Sequence, residues 1–180
     1  MRRSYTILLL LFLFSGLLSA CRNETESSKP LSKKALKQPL LEANRHAVKT
    51  EEQHIEDFLR RYKWDMAETG SGLRYMIYEK GKGPEAVKGK LAVLDYTLSL
   101  ITGDVVYTAS EDGLMSFLIG KGEVVSGLEE GILLLNVGDK AKFIIPSHLA
   151  FGLVGDDNEI PGKATLIYDI TLLELNDQIN

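Results

Sequence analysis

Few side chains in this sequence could act as nucleophiles, general bases or metal ligands at the spacings that enzymes use. Cys21 is the only cysteine among 180 residues, which excludes an internal disulfide framework and a cluster of thiolate metal ligands. The three histidines, His46, His54 and His148, are too widely spaced for a zinc motif. The sequence therefore predicts no metal and no cofactor.

The charge of the chain argues against nucleic acid as a partner. The sequence has 21 basic and 25 acidic side chains, a net charge of −4. Because Arg2 and Arg3 are the only charged residues among the first 20, the remainder carries 19 basic and 25 acidic side chains, or −6. A nucleic-acid-binding surface needs basic residues to displace counterions. The hydrophobic content of 44% is sufficient for the core of one domain.

The first 20 residues have the pattern of a secretory signal peptide. Arg2 and Arg3 precede an apolar stretch over residues 7–14, and the segment closes on the small residues Ser19 and Ala20. The alternative is a membrane-spanning helix, which needs about 20 apolar residues. The apolar stretch here is shorter than that, so we favour the signal peptide.

Cys21 lies directly after Leu18-Ser19-Ala20, and this arrangement resembles the lipobox of bacterial lipoproteins. In that motif the cysteine is diacylated and becomes the mature N-terminus, and two acyl chains anchor a protein stably. We therefore expect Cys21 to be lipidated. The expected location is the bacterial cell envelope, with the protein anchored by lipid in the outer membrane and facing the periplasm.

Two segments of different composition follow the cysteine. Residues 21–40 are polar and rich in Ser, Lys and Glu, which is typical of a flexible tether. Residues 41–70 are predicted to be helical, because apolar side chains recur there at i, i+3, i+4 and i+7, namely Ile55, Phe58, Leu59 and Tyr62. Thr50 and Gln53 have the spacing of a capping box. His54 lies among charged neighbours, which favours a solvated surface position, and a partner-binding helix stays open as the alternative.

The chain beyond Gly72 is rich in short β-prone runs separated by glycine turns. Strands are predicted over residues 73–78, 91–100, 105–107, 115–119, 140–146 and 164–174. In residues 124–135, Leu128, Ile132 and Leu135 share one helical face. We therefore predict an α+β fold for residues 72–176, a twisted antiparallel β-sheet wrapped around one short helix.

Four stretches, in this order and spacing, resemble the FKBP-type peptidyl-prolyl cis-trans isomerases. They are Asp95-Tyr96-Thr97, IGKGEVVSGLEEG at 119–131, VGDKAK with IPSHLAFG over 137–152, and Ile160-Pro161 with ATLIYD at 164–169. The likeness covers residues 73–175 and implies an FKBP-like fold. The lipobox and the helix after it also resemble the gliding-motility-associated lipoprotein isomerases of Bacteroidetes.

The reaction of this family fits a chain without reactive side chains. Amide resonance sets a rotation barrier of about 18–20 kcal/mol, and prolyl isomerisation takes tens to hundreds of seconds. An apolar pocket can favour the twisted amide, while a backbone donor fixes the neighbouring carbonyl. Neither a nucleophile nor a metal is required.

The resemblance implies a set of site residues. The catalytic positions are Tyr96, Val125, Leu128, Phe151 and Tyr168. Further substrate contacts are implied for Val106, Tyr107, Met115, Phe117, Glu123, Val124 and Ile160. By the same resemblance, the Val125 N–H binds the carbonyl next to the proline, and Glu123 offers its backbone carbonyl.

The chain departs from the family pattern at several of these positions. The family usually has Phe-Asp at Val106-Tyr107, tryptophan at Leu128 and tyrosine at Phe151. A lost hydrogen bond costs about 0.5–1.5 kcal/mol, so these departures predict weaker catalysis. The acidic loop over residues 155–159 is either a solvated turn or a lip that favours basic peptide flanks.

Three functions are compatible with these observations. The first is a lipid-tethered prolyl isomerase that assists the folding of exported proteins, with proline-containing polypeptides as clients. The second is a module that binds proline-containing peptides with little catalysis. The third is a structural lipoprotein whose helix docks on other envelope proteins, such as a gliding or secretion machine.

Overall fold

A computed structural model describes residues 33–177 of the chain. Its main core is surrounded by seven antiparallel strands and a short helix packed on them. The strands are β1 (Ala67–Glu68), β2 (Arg74–Glu79), β3 (Leu91–Leu100), β4 (Val105–Thr108), β5 (Met115–Leu118), β6 (Lys140–Ile145) and β7 (Leu166–Asn176). The helices are α1 (Lys33–Tyr62), α2 (Ala109–Asp112) and α3 (Ser126–Ile132), with a 3-10 turn over Ser147–Leu149. The predicted signal peptide and Cys21 lie outside the described residues.

Contacts divide the chain into two units, Met1–Ala43 and Asn44–Asn180. All the predicted pocket residues belong to the second unit. The described part of the first unit is the N-terminal portion of α1. Among residues 33–177, none of the helices combines the length and apolar character that crossing a membrane requires.

The longest strands, β3 and β7, pair side by side at the centre of the sheet. The strand order is β1-β2-β6-β7-β3-β4, and β5 also pairs with β3. Along β3, Ala92, Leu94, Tyr96 and Leu98 are buried, whereas Asp95 and Thr97 are exposed. This alternation turns one face of the strand to the core, as period-two side-chain geometry requires.

The predicted antiparallel sheet with one short packed helix is confirmed. Strand β3 has the predicted bounds, and the other predicted strands differ from the observed ones by one or two residues at an end. Strand β1 and helix α2 were not predicted, because two and four residues are too few to show a periodicity.

Helix α3 approaches the sheet closely because two of its residues are glycines. A Cβ atom on Gly127 would lie 2.4 Å from Ile145 Cγ2, and one on Gly131 would lie 2.9 Å from the ring of Phe143. Real Cβ atoms do not approach other atoms so closely. The two glycines therefore let α3 pack directly on β6, which fixes the position of the Val125 backbone at its start.

Gly127→Ala is expected to destabilise the fold by about 1–3 kcal/mol through overpacking, although alanine is the better helix former. The measurement is the urea midpoint at equilibrium. Gly70→Ala is the control, because a Cβ at Gly70 meets nothing within 4 Å among the described residues. A Gly127→Ala protein as stable as the wild type would contradict the close approach.

Helix α1 does not have the predicted bounds. It begins at Lys33, within the predicted tether over residues 21–40, and ends at Tyr62, well before residue 70. Residues 33–38 are mostly good helix formers, and a low content of core residues does not prevent a helix. The helix ends because Lys63 has φ 54°, and Trp64 N–H then donates to Leu59 O at 3.1 Å, as in a Schellman motif.

The capping box at Thr50 and Gln53 is wrong, because both residues lie inside α1. The Thr50 hydroxyl donates to the His46 carbonyl at 2.9 Å, and Gln53 donates to Asp57. The predicted apolar face is partly correct. Ile55 and Phe58 are buried against Ile144 and Ile167, whereas Tyr62 is half exposed.

Polar contacts fasten α1 to the sheet domain within the second unit. The Glu51 carboxylate accepts from Ser147 N–H at 2.6 Å, from the Ser147 hydroxyl at 2.9 Å and from the Thr165 hydroxyl at 2.6 Å. Arg74, which is buried, forms ion pairs with Glu52 and Glu56 of the helix. The helix from Asn44 onward therefore packs on the sheet domain.

Candidate active site

Two aromatic side chains from neighbouring strands form the centre of the candidate site. Tyr96 in β3 and Tyr168 in β7 are buried, and their ring centroids are 6.4 Å apart at an interplanar angle of 40°. Tyr168 pairs with Leu98, two residues after Tyr96. The strand register therefore puts both rings on the core face of the sheet.

The shorter strands add apolar walls on the same face. Met115 and Phe117 of β5 pair with Leu94 and Ala92, and Tyr107 of β4 pairs with Leu98. Phe117 is buried, and Val106, Tyr107 and Met115 are partly buried against the same cluster. The register of β3 with its neighbours therefore gathers these side chains around Tyr96.

Helix α3 contributes an apolar side chain and a backbone donor. Leu128 is fully buried, and Val124 and Val125 pack partly buried against the same cluster. Val125 caps the helix with φ −59° and ψ 144°, and its carbonyl accepts from Leu128 N–H and Glu129 N–H. Within the described residues, no backbone carbonyl accepts a hydrogen bond from the Val125 N–H. This donor is therefore available to a substrate carbonyl.

The segment between β6 and β7 supplies the remaining walls. Phe151, after the 3-10 turn, is partly buried, and Ile160 is buried; both belong to the cluster that holds Tyr96 and Tyr168. All the apolar and aromatic residues predicted for the site thus lie in or against the main core cluster, which also contains the rest of that core. We call the predicted set the prolyl pocket: Tyr96, Val106, Tyr107, Met115, Phe117, Val124, Val125, Leu128, Phe151, Ile160 and Tyr168.

Glu123, the remaining predicted residue, is exposed and uses its side chain to hold the turn before α3. Its carboxylate accepts from Leu118 N–H at 2.9 Å. Glu129 acts in the same way, accepting from Gly120 N–H at 2.5 Å and Gly122 N–H at 2.8 Å. These two carboxylates stiffen the connection from β5 to Val125. The sequence analysis did not predict either contact.

Burial suppresses ionisation of the two central tyrosines. Desolvation raises the pKa of Tyr168, and the nearby Tyr96 adds to the rise. Desolvation also raises the pKa of Tyr96, with further contributions from Asp112 and Tyr107. Both phenols therefore stay neutral throughout the physiological range. The centre of the pocket keeps the apolar character that favours a twisted amide.

The loop over residues 155–159 is exposed at Asp157, Asn158 and Glu159, and its Asp156 carboxylate is hydrogen-bonded within the protein. That carboxylate accepts a hydrogen bond from the Tyr107 hydroxyl at 2.5 Å. Asn158 also donates to that hydroxyl, at 3.0 Å. The sequence analysis missed Asp156 and Asn158 as residues of the site. The Asx-turn spacing of Asp156, Asn158 and Ile160 indicates the turn but not its contact with Tyr107.

One cleft in the described part of the chain lies elsewhere. It has a volume of about 890 Å3, and α1 and the segments near Ile101, His148 and Pro161 line it. None of the predicted site residues lines this cleft, and its lining contains no Phe, Tyr or Trp. The predicted residues, with their aromatic side chains and the Val125 N–H, lie in the prolyl pocket instead, and this set is the candidate site.

Comparisons with known proteins agree with the fold. Residues 83–173 match the family FKBP_C, described as FKBP-type peptidyl-prolyl cis-trans isomerase. The crystal structure of FkpA from Escherichia coli has a TM-score of 0.65 with this chain at 27% identity, covering 84% of this chain and 76% of that one. The structural likeness thus extends beyond the residues that match the family.

Curated relatives share the same region. FK506-binding protein 4 of Emericella nidulans is 39% identical over 95 residues, which are 53% of this chain and 20% of that protein. The probable FKBP-type isomerase FkpA of Neisseria meningitidis is 34% identical over 108 residues, 59% of this chain and 39% of that protein. This chain thus spans well under half the length of either relative. The match over half of the chain shows that it belongs to the FKBP-type peptidyl-prolyl cis-trans isomerase family.

Proposed function

We propose that this protein is a peptidyl-prolyl cis-trans isomerase that acts on proline-containing segments of exported proteins. The observation that carries the proposal is the Val125 N–H, which has no backbone acceptor among the described residues and lies at the edge of an aromatic-walled cluster. In this arrangement the proline ring lies against Tyr96 and Tyr168, and the Val125 N–H binds the neighbouring carbonyl.

The proposed mechanism uses only binding and environment. The planar amide has more charge separation than the twisted one, so the apolar walls disfavour the ground state relative to the transition state. The Val125 N–H holds the carbonyl next to the proline in place. Rotation is therefore confined to the prolyl amide bond. No proton transfer takes part, so the rate does not depend on a titrating group.

A second candidate function is binding of proline-containing peptides with little catalysis. Val106, Tyr107 and Phe151 favour it, because each departs from the residue that the family usually has at that position. Isomerisation and binding of the same prolyl peptide, measured on one sample, separate the two functions. Catalysis supports the enzyme, and saturable binding with an unchanged isomerisation rate supports the binding module.

We further propose that the protein is a lipoprotein of the cell envelope, anchored in the outer membrane through Cys21 and facing the periplasm. The order of basic, apolar and small residues before the only cysteine supports this. The same features, with α1 ahead of the isomerase domain, support the gliding-motility-associated type of lipoprotein.

Lipidation of Cys21 predicts a specific labelling result. Cells that express the protein and grow with a fatty-acid analogue are expected to label the wild type and not Cys21→Ser, because the thiol is the acceptor of the diacylglyceryl group. The label is read on the purified protein by gel fluorescence. Equal labelling of the two proteins would refute the lipid anchor and leave the isomerase proposal intact.

A further inference from the structure

One hydrogen-bonded group links β4 to the loop that closes the prolyl pocket. The Tyr107 hydroxyl donates to Asp156 Oδ2 at 2.5 Å and accepts from Asn158 Nδ2 at 3.0 Å. Tyr107 is separated from these residues by 49 and 51 positions. The hydroxyl therefore makes a long-range connection and is occupied by protein groups.

The same carboxylate also organises the backbone of the loop. Asp156 Oδ1 accepts from Asn158 N–H at 3.0 Å and from Ile160 N–H at 2.8 Å. The Asp156 N–H donates to the Ile160 carbonyl at 3.1 Å, and Gly155 pairs with Pro161 at the base of the loop. Asp156 thus joins Tyr107 to the backbone on both sides of Ile160.

Ile160 is the member of this loop that lies in the pocket. Its side chain is 3% exposed and belongs to the cluster of Tyr96 and Tyr168, whereas the preceding Asp157, Asn158 and Glu159 are exposed. An isolated turn with three exposed residues has few apolar contacts to hold it in place. Its contact with Tyr107 supplies a tether from outside the loop.

The protonation states of Tyr107 and Asp156 favour the hydrogen bond between them at neutral pH. The hydrogen bond to Asp156 raises the pKa of the Tyr107 phenol, which stays a donor. Burial acts to raise the pKa of Asp156, but hydrogen bonds from Tyr107, Ile160 and Asn158 outweigh it and hold that pKa below its usual value. An ionised carboxylate and a neutral phenol form a charge-assisted hydrogen bond, which is stronger than one between neutral groups.

We infer that Tyr107 is a positioning residue of the prolyl site, which acts through Asp156 to hold Ile160 in the pocket wall. The inference rests on the proposed isomerase function. It changes the role that the resemblance gave Tyr107, from contact with the substrate to support of a residue that makes the contact. It also assigns Asp156 and Asn158 to the support of the site.

Tyr107→Phe tests this role in the full-length protein, because it removes the hydroxyl and keeps the ring. We expect kcat/KM for a prolyl peptide to fall by about two- to tenfold, the range of one hydrogen bond, with an unchanged urea midpoint. Tyr78→Phe is the matched control. Tyr78 also donates to an aspartate, Asp169 Oδ1 at 2.7 Å, but it lies on β2 outside the pocket, and we expect wild-type activity.

A double-mutant comparison of Tyr107 with Ile160 distinguishes a positioning role of Tyr107 from a general loss of stability. Ile160→Val is expected to lower kcat/KM in the wild type but to have a smaller effect in the Tyr107→Phe background, because Ile160 is no longer held there. A global effect would leave the two changes additive. Asp156→Asn provides a second route to the same test if Tyr107→Phe lowers stability.

Hydrogen exchange at the Ile160 amide gives a readout that does not depend on activity. We expect faster exchange in Tyr107→Phe and the wild-type rate in Tyr78→Phe. Wild-type exchange in Tyr107→Phe, or faster exchange with undiminished kcat/KM, would overturn the inference while the isomerase proposal stands. Absence of isomerisation in the wild-type protein would instead overturn the proposed function, and the positioning role with it.

Discussion

Val125→Pro is expected to lower kcat/KM for a prolyl peptide by roughly ten- to hundredfold. Proline removes the N–H that binds the substrate carbonyl, and an acceptor left unsatisfied in an apolar site costs about 1–3 kcal/mol. The substitution suits the backbone, because φ at Val125 is −59° and proline requires about −65°. The carbonyl that caps α3 is retained. Initial rates of isomerisation at several peptide concentrations give the value.

Val125→Ala is the matched variant, since it removes most of the side chain and keeps the N–H. We expect it to lose less activity than Val125→Pro, even though it loses more of the packing. Similar kcat/KM values for the two variants would contradict the role of the backbone donor. The urea midpoint of each variant shows whether α3 is still in place.

Tyr168→Ala is expected to lower kcat/KM by roughly ten- to hundredfold, because it removes an aromatic wall worth about 1.5–3 kcal/mol of apolar burial. The same change is also expected to destabilise the fold by about 3–5 kcal/mol. Activity is therefore compared at a temperature where the urea curve shows the variant to be folded.

Phe143→Ala is the control for this loss of stability. Phe143 pairs with Tyr168 across β6 and β7, is fully buried, and packs beneath Gly131 of α3. We expect a comparable loss of stability with a smaller loss of kcat/KM than in Tyr168→Ala, because the Tyr168 ring that lies against the proline is retained. Equal losses of activity in the two folded variants would assign the effect to the core and not to the pocket.

The fold could be predicted from local patterns where those patterns are strong. The alternation of apolar and polar residues along β3 predicted the bounds of that strand. The apolar spacing of Leu128 and Ile132 predicted the helix that packs on the sheet. The bounds of α1 could not be predicted in the same way, because residues 33–38 are helical although their sequence has few apolar residues to show a helical periodicity. The helix end depends on the conformation of Lys63, which its side-chain type does not indicate.

The walls of the site could be predicted only through resemblance to a family. By residue type alone, Tyr96 and Tyr168 cannot be told from ordinary buried aromatic residues. Their proximity depends on the register of β3 with β7. The contact between Tyr107 and Asp156 could not be predicted, because it joins residues 49 positions apart. A departure from the family pattern at Tyr107 was visible in the sequence, but its partner was not.

The central claim is that the prolyl pocket catalyses isomerisation, and exchange NMR of a prolyl peptide with the purified full-length protein tests it most directly. Without catalyst the exchange takes tens to hundreds of seconds. We predict acceleration by the wild type that is nearly flat between about pH 6 and 8, because no group at the centre of the pocket titrates there. An exchange rate equal to the uncatalysed one, with the peptide bound, would contradict the claim.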